Sequence, residues 1–304
     1  MLEIENEIRR CKKCDLWKGR KNAVPGEGNY DARMMLVGEA PGKTEDEMGR
    51  PFVGKAGQLL SQTLEKFGIK SETSHHEVAP GQHEIDLQYT DAISSADRVA
   101  MMKYVTKTIA DRHGLYATFM PKPIYGVNGS GMHTHMSLMT PQGKSVFYDP
   151  KGPYKLSKTA LHFIGGLLTH AREICAILAS SVNSYKRLVP GYEAPVYISW
   201  ANLNRSAYIR IPAGRGTKTR IELRNPDPAG NPYLQFAIML AAGLKGVDEK
   251  IDPPEPIERD IFKMGVEERE TLKIGSLPGN LGEALREMKR SKLVREALGD
   301  HLFS

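Results

Sequence analysis

Apolar residues recur every three to four positions in several stretches of this chain, which is the spacing of an amphipathic helix. Between residues 96 and 113, for example, Val99, Met102 and Val105 fall on one side. The pattern predicts helices at residues 2–10, 55–67, 96–113, 156–180, 233–247 and 281–298.

Short apolar or alternating runs between turn-forming residues predict strands at residues 34–37, 118–125, 196–200, 207–211 and 219–224. A Pro80-Gly81 turn separates Glu77 from Glu84, so these two carboxylates are expected to face each other across a hairpin. The strand at 34–37 leads through a Gly- and Pro-rich loop into a helix, which is how an α/β domain begins. The first seventy residues are too few to complete such a domain, so we expect a partial one there.

The composition is that of a water-soluble protein with about two domains. Charged residues make up 26% and hydrophobic residues 40% of the 304 positions, values near the average for globular proteins. The longest apolar run, residues 236–244, is too short to cross a bilayer, and the polar amino terminus is unlike a signal peptide. Because three cysteines are too few for a disulfide framework, we expect a cytoplasmic setting. The net charge of +6 fits an anionic partner, either nucleic acid or a phosphorylated small molecule.

The segment at residues 219–224 alternates charged and apolar side chains. In a strand, this alternation puts Arg220, Glu222 and Arg224 on one face and turns the apolar side chains toward a core. Two guanidinium groups beside one carboxylate form either an internal ladder of ion pairs or a site for an anion and a metal ion. The residues alone are compatible with both.

His133 and His135 follow a glycine-rich turn and share one face of a strand. Imidazoles in this arrangement can bind a metal ion or contact phosphate, although a His-x-His pair is more often structural. Carboxylates elsewhere in the chain could complete a shell of the kind that favours Mg²⁺ or Mn²⁺ over Zn²⁺. The candidates are Glu77, Glu84 and Glu222.

Arginines are concentrated in a short span of strands and turns, beside apolar, glycine and proline residues. They are Arg187, Arg205, Arg210, Arg215, Arg220 and Arg224. Because a guanidinium group binds phosphate or carboxylate through two parallel hydrogen bonds, this clustering predicts a pocket for an anionic substrate.

Several of these motifs together resemble the catalytic domain of type I glutamine synthetases, over about residues 72–303. The matching segments are EVAPGQHE at 77–84, NGSGMHTH at 128–135, RLVPGYEAP at 187–195, NRSA at 204–207 and RIELRNPDP at 220–228. The resemblance implies an α+β fold, in which a curved, antiparallel sheet is flanked by helices.

The resemblance also implies roles for individual residues. The metal ion next to the glutamate site would be bound by Glu77 and Glu84. The metal ion that bridges the ATP phosphates would be bound by His133 and Glu222. The contacts to ATP would come from His135, Ser137 and Arg220. The transferring phosphoryl group would be held by Arg205 and Arg210.

The glutamate site would consist of Asn128, Gly129, Arg187 and Arg224. Glu193 matches the flap carboxylate that closes over the intermediate and helps to take protons from ammonium. In the implied reaction, ATP phosphorylates the γ-carboxylate of glutamate, and ammonia then displaces phosphate from the acyl phosphate. The bound Mg²⁺ or Mn²⁺ and the arginines stabilise the charge on the phosphoryl oxygens. Because family members form pockets between subunits, we expect a homo-oligomer. The resemblance implies neither nucleic acid nor a membrane as partner.

The sequence departs from the family's pattern in two respects. We find neither the amino-terminal β-grasp domain nor the first catalytic strand, which carries one further carboxylate ligand for each metal ion. Each metal ion is therefore expected to keep two of its protein ligands and to bind more weakly. We expect glutamine synthetase-like activity that this truncation reduces.

Residues 1–70 resemble the amino-terminal part of family 4 uracil-DNA glycosylases, which carry an iron–sulfur cluster. The matching segments are CKKC at 11–14, VPGEGN at 24–29, GEAPG at 38–42 and GRPFVG at 49–54. Cys11 and Cys14 would be cluster ligands, but two more ligands are required, so we expect no complete cluster. A domain boundary is therefore expected between residues 70 and 71. Two alternative functions are uracil excision from DNA by an iron–sulfur enzyme and a non-catalytic fusion product.

Overall fold

The computed structural model describes residues 7, 10–12, 15–24, 43–48, 65–66, 71–202, 204 and 206–303. The chain divides into two compact units, residues 1–109 and residues 110–304. The helices predicted at 2–10 and 55–67 fall largely outside the described residues. The strand predicted at 34–37 and the boundary predicted at residue 70 fall wholly outside them.

Helices and strands alternate irregularly along the described chain, which agrees with the α+β class. The helices are Lys43–Met48 (α1), Ala92–Arg112 (α2), Lys158–Thr169 (α3), Ala171–Leu178 (α4), Ser184–Arg187 (α5), Pro232–Glu249 (α6), Val266–Thr271 (α7), Leu281–Arg290 (α8) and Lys292–Phe303 (α9). The strands are Ser71–His76 (β1), His83–Leu87 (β2), Thr134–Met136 (β3), Tyr197–Ile198 (β4), Trp200–Ala201 (β5), Ile209–Arg210 (β6), Ile221–Leu223 (β7) and Gly275–Ser276 (β8).

In the unit formed by residues 1–109, β1 and β2 form the expected antiparallel hairpin. Its turn contains Gly81 with a φ of +67°, a left-handed conformation that glycine adopts without steric cost. Helix α2 confirms the prediction for residues 96–113. The side chain of Val105 on α2 is buried, and the partly buried Ile85 and Leu87 of β2 pack against it.

In the unit formed by residues 110–304, the central sheet has the strand order β3–β7–β6–β5. Strand β7 pairs in antiparallel fashion with β3 and with β6, whereas β5 and β6 are parallel. The sheet is therefore mixed, not wholly antiparallel as expected. In its register, Glu222 lies opposite His135 on one side and opposite Arg210 on the other. Because directly opposed residues point to the same face, these three side chains form one row across the sheet.

The main core of this unit lies where α3 packs against α6. A Cβ atom at Gly166 would lie 2.7 Å from the Cα atom of Gly246, and one at Gly246 would lie 2.5 Å from the Cα atom of Gly166. Glycine at both positions thus lets the two helix backbones touch. Side chains that are completely buried around this contact include Ile164, Leu167, Ile238 and Met239.

The strand predicted at residues 118–125 is wrong, since this segment has neither helix nor strand structure. Pro121 and Pro123 remove two backbone N–H donors, so a ladder of hydrogen bonds cannot run through the segment. The carbonyl of Pro121 instead accepts a hydrogen bond from the backbone N–H of Ser130, at 2.8 Å. The segment is therefore fixed against the glycine-rich turn that follows it.

Two long helices of the prediction are each broken into two. The helix expected at residues 156–180 consists of α3 and α4, which meet at His170 and are bent by 75°. His170 has a ψ of 7°, outside the helical range, and its ring Nδ1 lies 3.2 Å from Glu173 of the second helix. The helix expected at 281–298 consists of α8 and α9, with Ser291 between them. The hydroxyl of Ser291 caps α9 by accepting a hydrogen bond from the N–H of Val294 at 3.1 Å.

Among the described residues, no single helix combines the length and apolar composition of a membrane span. The bent pair of α3 and α4 reaches that length and composition jointly, and most of its apolar side chains are buried in the core.

We expect Gly166→Ala to lower the free energy of unfolding by about 1–3 kcal/mol, because the added methyl group meets the backbone of α6. The matched control is Gly279→Ala, where the new Cβ would lie 3.7 Å from a carboxylate oxygen of Glu283; it should change stability by less than about 0.5 kcal/mol. Urea-induced unfolding, followed by circular dichroism, measures both variants. Equal stability of the two variants would contradict the close contact of α3 with α6.

Candidate active site

The carboxylate of Glu222 lies at the centre of a cluster of charged groups on the central sheet. Its Oε2 accepts a hydrogen bond from Arg210 Nε at 2.5 Å and also contacts Arg210 Nη2. Its Oε1 lies 3.4 Å from Arg224 Nε and 3.5 Å from His133 Nδ1. With its side chain 3% exposed, this buried carboxylate is compensated by the positive charges around it. The ion pair of Glu222 with Arg224 that the sequence suggested is therefore present, and the second guanidinium group on Glu222 is that of Arg210.

The imidazole of His133 is suited to binding a metal ion. Desolvation of the ring by the atoms packed around it lowers its pKa well below the usual value, although 31% of the side chain stays exposed, and the positive charges of Arg224 and Arg187 act in the same direction. The ring is therefore neutral near pH 7, the form that can donate a lone pair. Its Nδ1 is 3.5 Å from Glu222 Oε1, so both atoms can reach one ion at about 2.0–2.2 Å. In chemistry and spacing, this pair fits two ligands of a divalent cation.

The three residues predicted to contact ATP lie close together. Arg220 Nε donates a hydrogen bond to His135 Nδ1 at 2.8 Å. The hydroxyl of Ser137 donates to the backbone carbonyl of Thr219, the neighbour of Arg220, at 2.9 Å. Strand β3 and the residues that lead into β7 thus bring the imidazole of His135 and the hydroxyl of Ser137 to residues 219–220, which lie more than eighty positions away in the sequence.

Arg187 is buried, and its guanidinium group holds a turn of the main chain. Nη1 donates to the carbonyl of Asn225 at 2.8 Å, and Nη2 donates to the carbonyl of Arg224 at 2.9 Å. A Cβ atom at Gly131 would lie 2.5 Å from Nη2, so glycine there leaves room for the guanidinium group. The structure therefore shows Arg187 positioning Arg224, and a direct contact of Arg187 with glutamate stays a prediction.

Asn128 and Gly129 lie in the glycine-rich turn before β3. A Cβ atom at Gly129 would collide with the carbonyl oxygen of Pro121 and would lie 3.1 Å from Arg187 Cγ. The turn can thus approach both neighbours closely because position 129 has no side chain.

Glu193 lies in an exposed loop between α5 and β4, with a φ of +58°. A left-handed conformation is uncommon for a residue with a side chain and costs of order 1 kcal/mol or more. Such strain often marks residues with a function, and the role of this carboxylate stays a prediction. Arg205 and Cys14 lie outside the described residues, whereas Cys11 is a partly exposed thiol without a disulfide.

The hairpin of β1 and β2 brings Glu77 and Glu84 together as expected and adds a third carboxylate, Asp86. Burial raises the pKa of Glu84 to about 9, and hydrogen bonds and charge from Glu77 and Asp86 contribute to this shift. A divalent cation beside Glu77 and Glu84 would offset the repulsion between them, so this pair also fits two metal ligands. Across the described residues, however, no three His, Cys, Asp or Glu side chains are grouped as a complete set of metal ligands.

Sequence reasoning missed three groups near these residues. Asp86 follows Glu84 by two positions in β2, and the strand alternation could have identified it. Lys122 is buried and lies against the ring of Tyr192, the neighbour of Glu193. Nothing in the local sequence pairs these last two residues, which are seventy positions apart.

The fold and the site define a class of protein: an α+β domain whose sheet carries carboxylate, imidazole and guanidinium groups suited to a divalent cation and an anionic ligand. The family described as "Glutamine synthetase, catalytic domain" matches residues 53–304 of this chain. The chain therefore belongs to the glutamine synthetase family. The match begins inside the segment for which we predicted a glycosylase-like origin, and that resemblance stays a prediction.

Curated relatives agree with this assignment. The chain is 60% identical to the glutamine synthetase of Methanosarcina mazei over 245 residues, which cover 81% of this chain and 55% of the relative. It is 57% identical to that of Thermus thermophilus over 250 residues, or 82% of this chain and 56% of the relative. It thus spans about half the length of these relatives.

Two solved structures, named "GmaS/ADP complex-Conformation 1" and "Apo GmaS without ligand", are similar to the chain. Each matches with a TM-score of 0.73 and 38% sequence identity. The matches cover 80% and 81% of this chain, respectively, and 56% of the solved chain in both cases.

We expect Glu84→Gln to stabilise the protein at pH 8 and to have little effect near pH 4.5. Because the pKa of Glu84 is higher in the folded state than in the unfolded state, the folded protein binds more protons between about pH 4.5 and pH 9, and stability falls as pH rises through this window. Because glutamine does not ionise, the variant should not lose stability in this window. Thermal unfolding of both proteins across this range, without added metal, measures the difference.

The matched control for this experiment is Glu270→Gln, at an exposed glutamate of α7. Its unfolding temperature should follow that of the wild type at every pH. If the difference in unfolding temperature between Glu84→Gln and the wild type does not grow with pH, the inference that the pKa of Glu84 is raised is wrong.

Proposed function

We propose that this chain catalyses the ATP-dependent ligation of ammonia to glutamate through a γ-glutamyl phosphate. The observation that carries the proposal is the arrangement around Glu222, which is held by Arg210 and lies 3.5 Å from His133 in a member of the glutamine synthetase family. The relatives are named glutamine synthetase, and the chain spans 55–56% of their length. Activity, substrates and partners of this chain are therefore proposals.

Two pairs of side chains would hold Mg²⁺ or Mn²⁺. His133 and Glu222 supply a neutral imidazole and a carboxylate, and Glu77 and Glu84 supply two carboxylates. When bound there, a divalent cation would supply positive charge to offset the negative charge of phosphoryl oxygens.

The arginines would bind and orient the phosphoryl group. Arg210 is fixed from one side by Glu222 and remains 26% exposed, so its guanidinium group is oriented before a ligand arrives. A fixed cation of this kind stabilises charge in the transition state without reorganisation. Arg205 is assigned to the same task, and Arg220, His135 and Ser137 to the nucleotide. One of the two similar structures is a complex with ADP, which supports a nucleotide ligand for this chain.

The glutamate substrate would bind at Asn128, Gly129 and Arg224, with Arg187 holding the turn that carries Arg224. Glu193 would close over the intermediate and accept a proton from ammonium, so that neutral ammonia attacks the acyl phosphate. Its position in an exposed loop allows such closure, and the closed loop would exclude water that could otherwise hydrolyse the intermediate.

We also propose that residues 1–70 form a separate, glycosylase-like segment without a complete iron–sulfur cluster. The support is the four sequence motifs and the presence of two candidate ligands, Cys11 and Cys14. No observation favours uracil excision as a second activity.

The test of the proposed reaction is the ammonium-dependent release of phosphate from ATP in the presence of glutamate and Mn²⁺. We expect turnover, and we expect Glu193→Gln to reduce it by about 10²- to 10⁴-fold, the range for loss of an acid–base group. Because Glu193 is exposed, this variant should unfold at the same temperature as the wild type. Glu270→Gln should keep full activity. Absence of turnover, or turnover that Glu193→Gln leaves unchanged, would refute the proposal.

We further propose that the chain forms a homo-oligomer. The support is the segment between α2 and β3, where Leu115, Tyr116 and Tyr125 are 68%, 91% and 99% exposed, respectively. Neighbouring apolar side chains at a surface commonly mark an interface. A second copy of the chain is the partner that the proposed function requires.

Sedimentation velocity tests this association. We expect wild type at micromolar concentration to sediment as an oligomer and the double variant Tyr116→Ser, Tyr125→Ser to shift toward the monomer. Tyr89→Ser, at another exposed tyrosine, serves as the control and should keep the assembly. A monomeric wild type, or a double variant that assembles normally, argues against the proposed interface.

A further inference from the structure

Lys122 is a buried cation to which neither the sequence motifs nor the proposed reaction assigns a role. The residue is 7% exposed, and lysine is among the residues least often buried without a partner. Its Nζ donates a hydrogen bond to the carbonyl of Val127 and lies 3.7 Å from the centre of the Tyr192 ring. The ammonium group thus touches two loops that are far apart in the sequence.

The main chain of Lys122 is held by a third segment. Its N–H donates to Asn183 Oδ1 at 2.7 Å, and its carbonyl accepts from Asn183 Nδ2 at 3.1 Å. Asn183 directly precedes α5, the helix that ends at Arg187. These two hydrogen bonds fix the backbone of Lys122, so the ammonium group is presented from a rigid base.

Each segment that Lys122 contacts leads directly to a residue of the proposed site. Val127 precedes Asn128 and Gly129, which are assigned to glutamate. Tyr192 precedes Glu193, the proposed proton acceptor. One side chain therefore links the loop at residues 127–131, which we call the substrate loop, to the loop at residues 191–195, which we call the flap loop.

The chemistry of these contacts requires a positive charge. Burial lowers the pKa of Lys122, so the charged form needs compensation from its surroundings. A carbonyl oxygen and the face of an aromatic ring both attract a cation, and the ring does so most strongly where water is excluded. A methionine has a similar shape but supplies neither attraction.

We propose that Lys122 is a positioning residue that fixes the loop at residues 191–195, and with it Glu193, against the loop at residues 127–131. The loss of catalysis that follows from this role rests on the proposed function. The coupling of the two loops does not, because it can be measured in the absence of any substrate.

Hydrogen exchange followed by mass spectrometry on the full chain measures this coupling. We expect Lys122→Met to speed exchange by about tenfold or more in peptides that cover residues 188–195 and 124–131. Peptides from α3 and α6 should exchange as in the wild type. A side chain that merely filled space in the core would, when replaced, either change nothing or speed exchange in all of these peptides, and both results would overturn the proposal.

Substitutions at Tyr192 test the same contact from the flap loop, where the side chain is partly exposed and the fold is not at risk. Tyr192→Leu removes the ring and should reproduce the faster exchange of residues 188–195. Tyr192→Phe keeps the ring and should exchange as the wild type does. If Tyr192→Leu and Tyr192→Phe show the same rate of hydrogen exchange in residues 188–195, the interaction between the ammonium group and the ring is refuted.

Kinetics separate this proposal from the proposed function. If the chain releases phosphate from ATP with glutamate and ammonium, Lys122→Met and Tyr192→Leu should lower kcat by about tenfold with a smaller change in KM, and Tyr192→Phe should match the wild type. A chain that lacks activity but shows the local change in exchange would refute the proposed reaction and support the role of Lys122. If Lys122→Met leaves kcat unchanged, the proposal that Lys122 positions Glu193 is refuted.

Discussion

The arrangement of the site depends on the ion pairs that Arg210 and Arg224 form with the buried carboxylate of Glu222. A carboxylate with this little exposure is strongly disfavoured unless cations surround it. Arg210 meets it from β6, and Arg224 meets it from the residue after β7. The pairing of β3, β7 and β6 is therefore fixed by charge as well as by backbone hydrogen bonds. A shift of one residue would turn Glu222 toward the apolar core and leave both arginines without it.

Residues outside the sheet also hold the ion pairs of Glu222 in place. Arg224 is held in place by the bond from Arg187 to its carbonyl, and Arg187 has room for that bond because position 131 is glycine. The nearby positive charges also contribute to keeping His133 neutral. One buried ion-pair cluster thus supports the strand register and the conformation of the following turn, and its positive charges add to the desolvation that lowers the pKa of His133.

The sequence was most informative where a local period sets the direction of side chains. Alternation correctly put Glu222 and Arg224 side by side, and the Pro80-Gly81 turn correctly brought Glu77 to Glu84. For residues 118–125, the apolar character predicted a strand although Pro121 and Pro123 are local signals against a continuous ladder. Elsewhere the sequence failed where tertiary contacts decide, and the bend at His170 has no marker as strong as proline or glycine. The contact between Lys122 and Tyr192 depends on packing of distant segments, so no local pattern could reveal it.

The conformation of Glu193 follows from the same packing. Its left-handed backbone and that of Gly191, with a φ of +92°, bracket Tyr192. A strained residue in an exposed loop keeps its conformation when neighbouring contacts determine it more strongly than the strain opposes it. Tyr192 supplies such a contact through its ring on the ammonium group of Lys122. A loop fixed at one residue and exposed at the next can hold a carboxylate near a substrate pocket while still allowing that carboxylate to move.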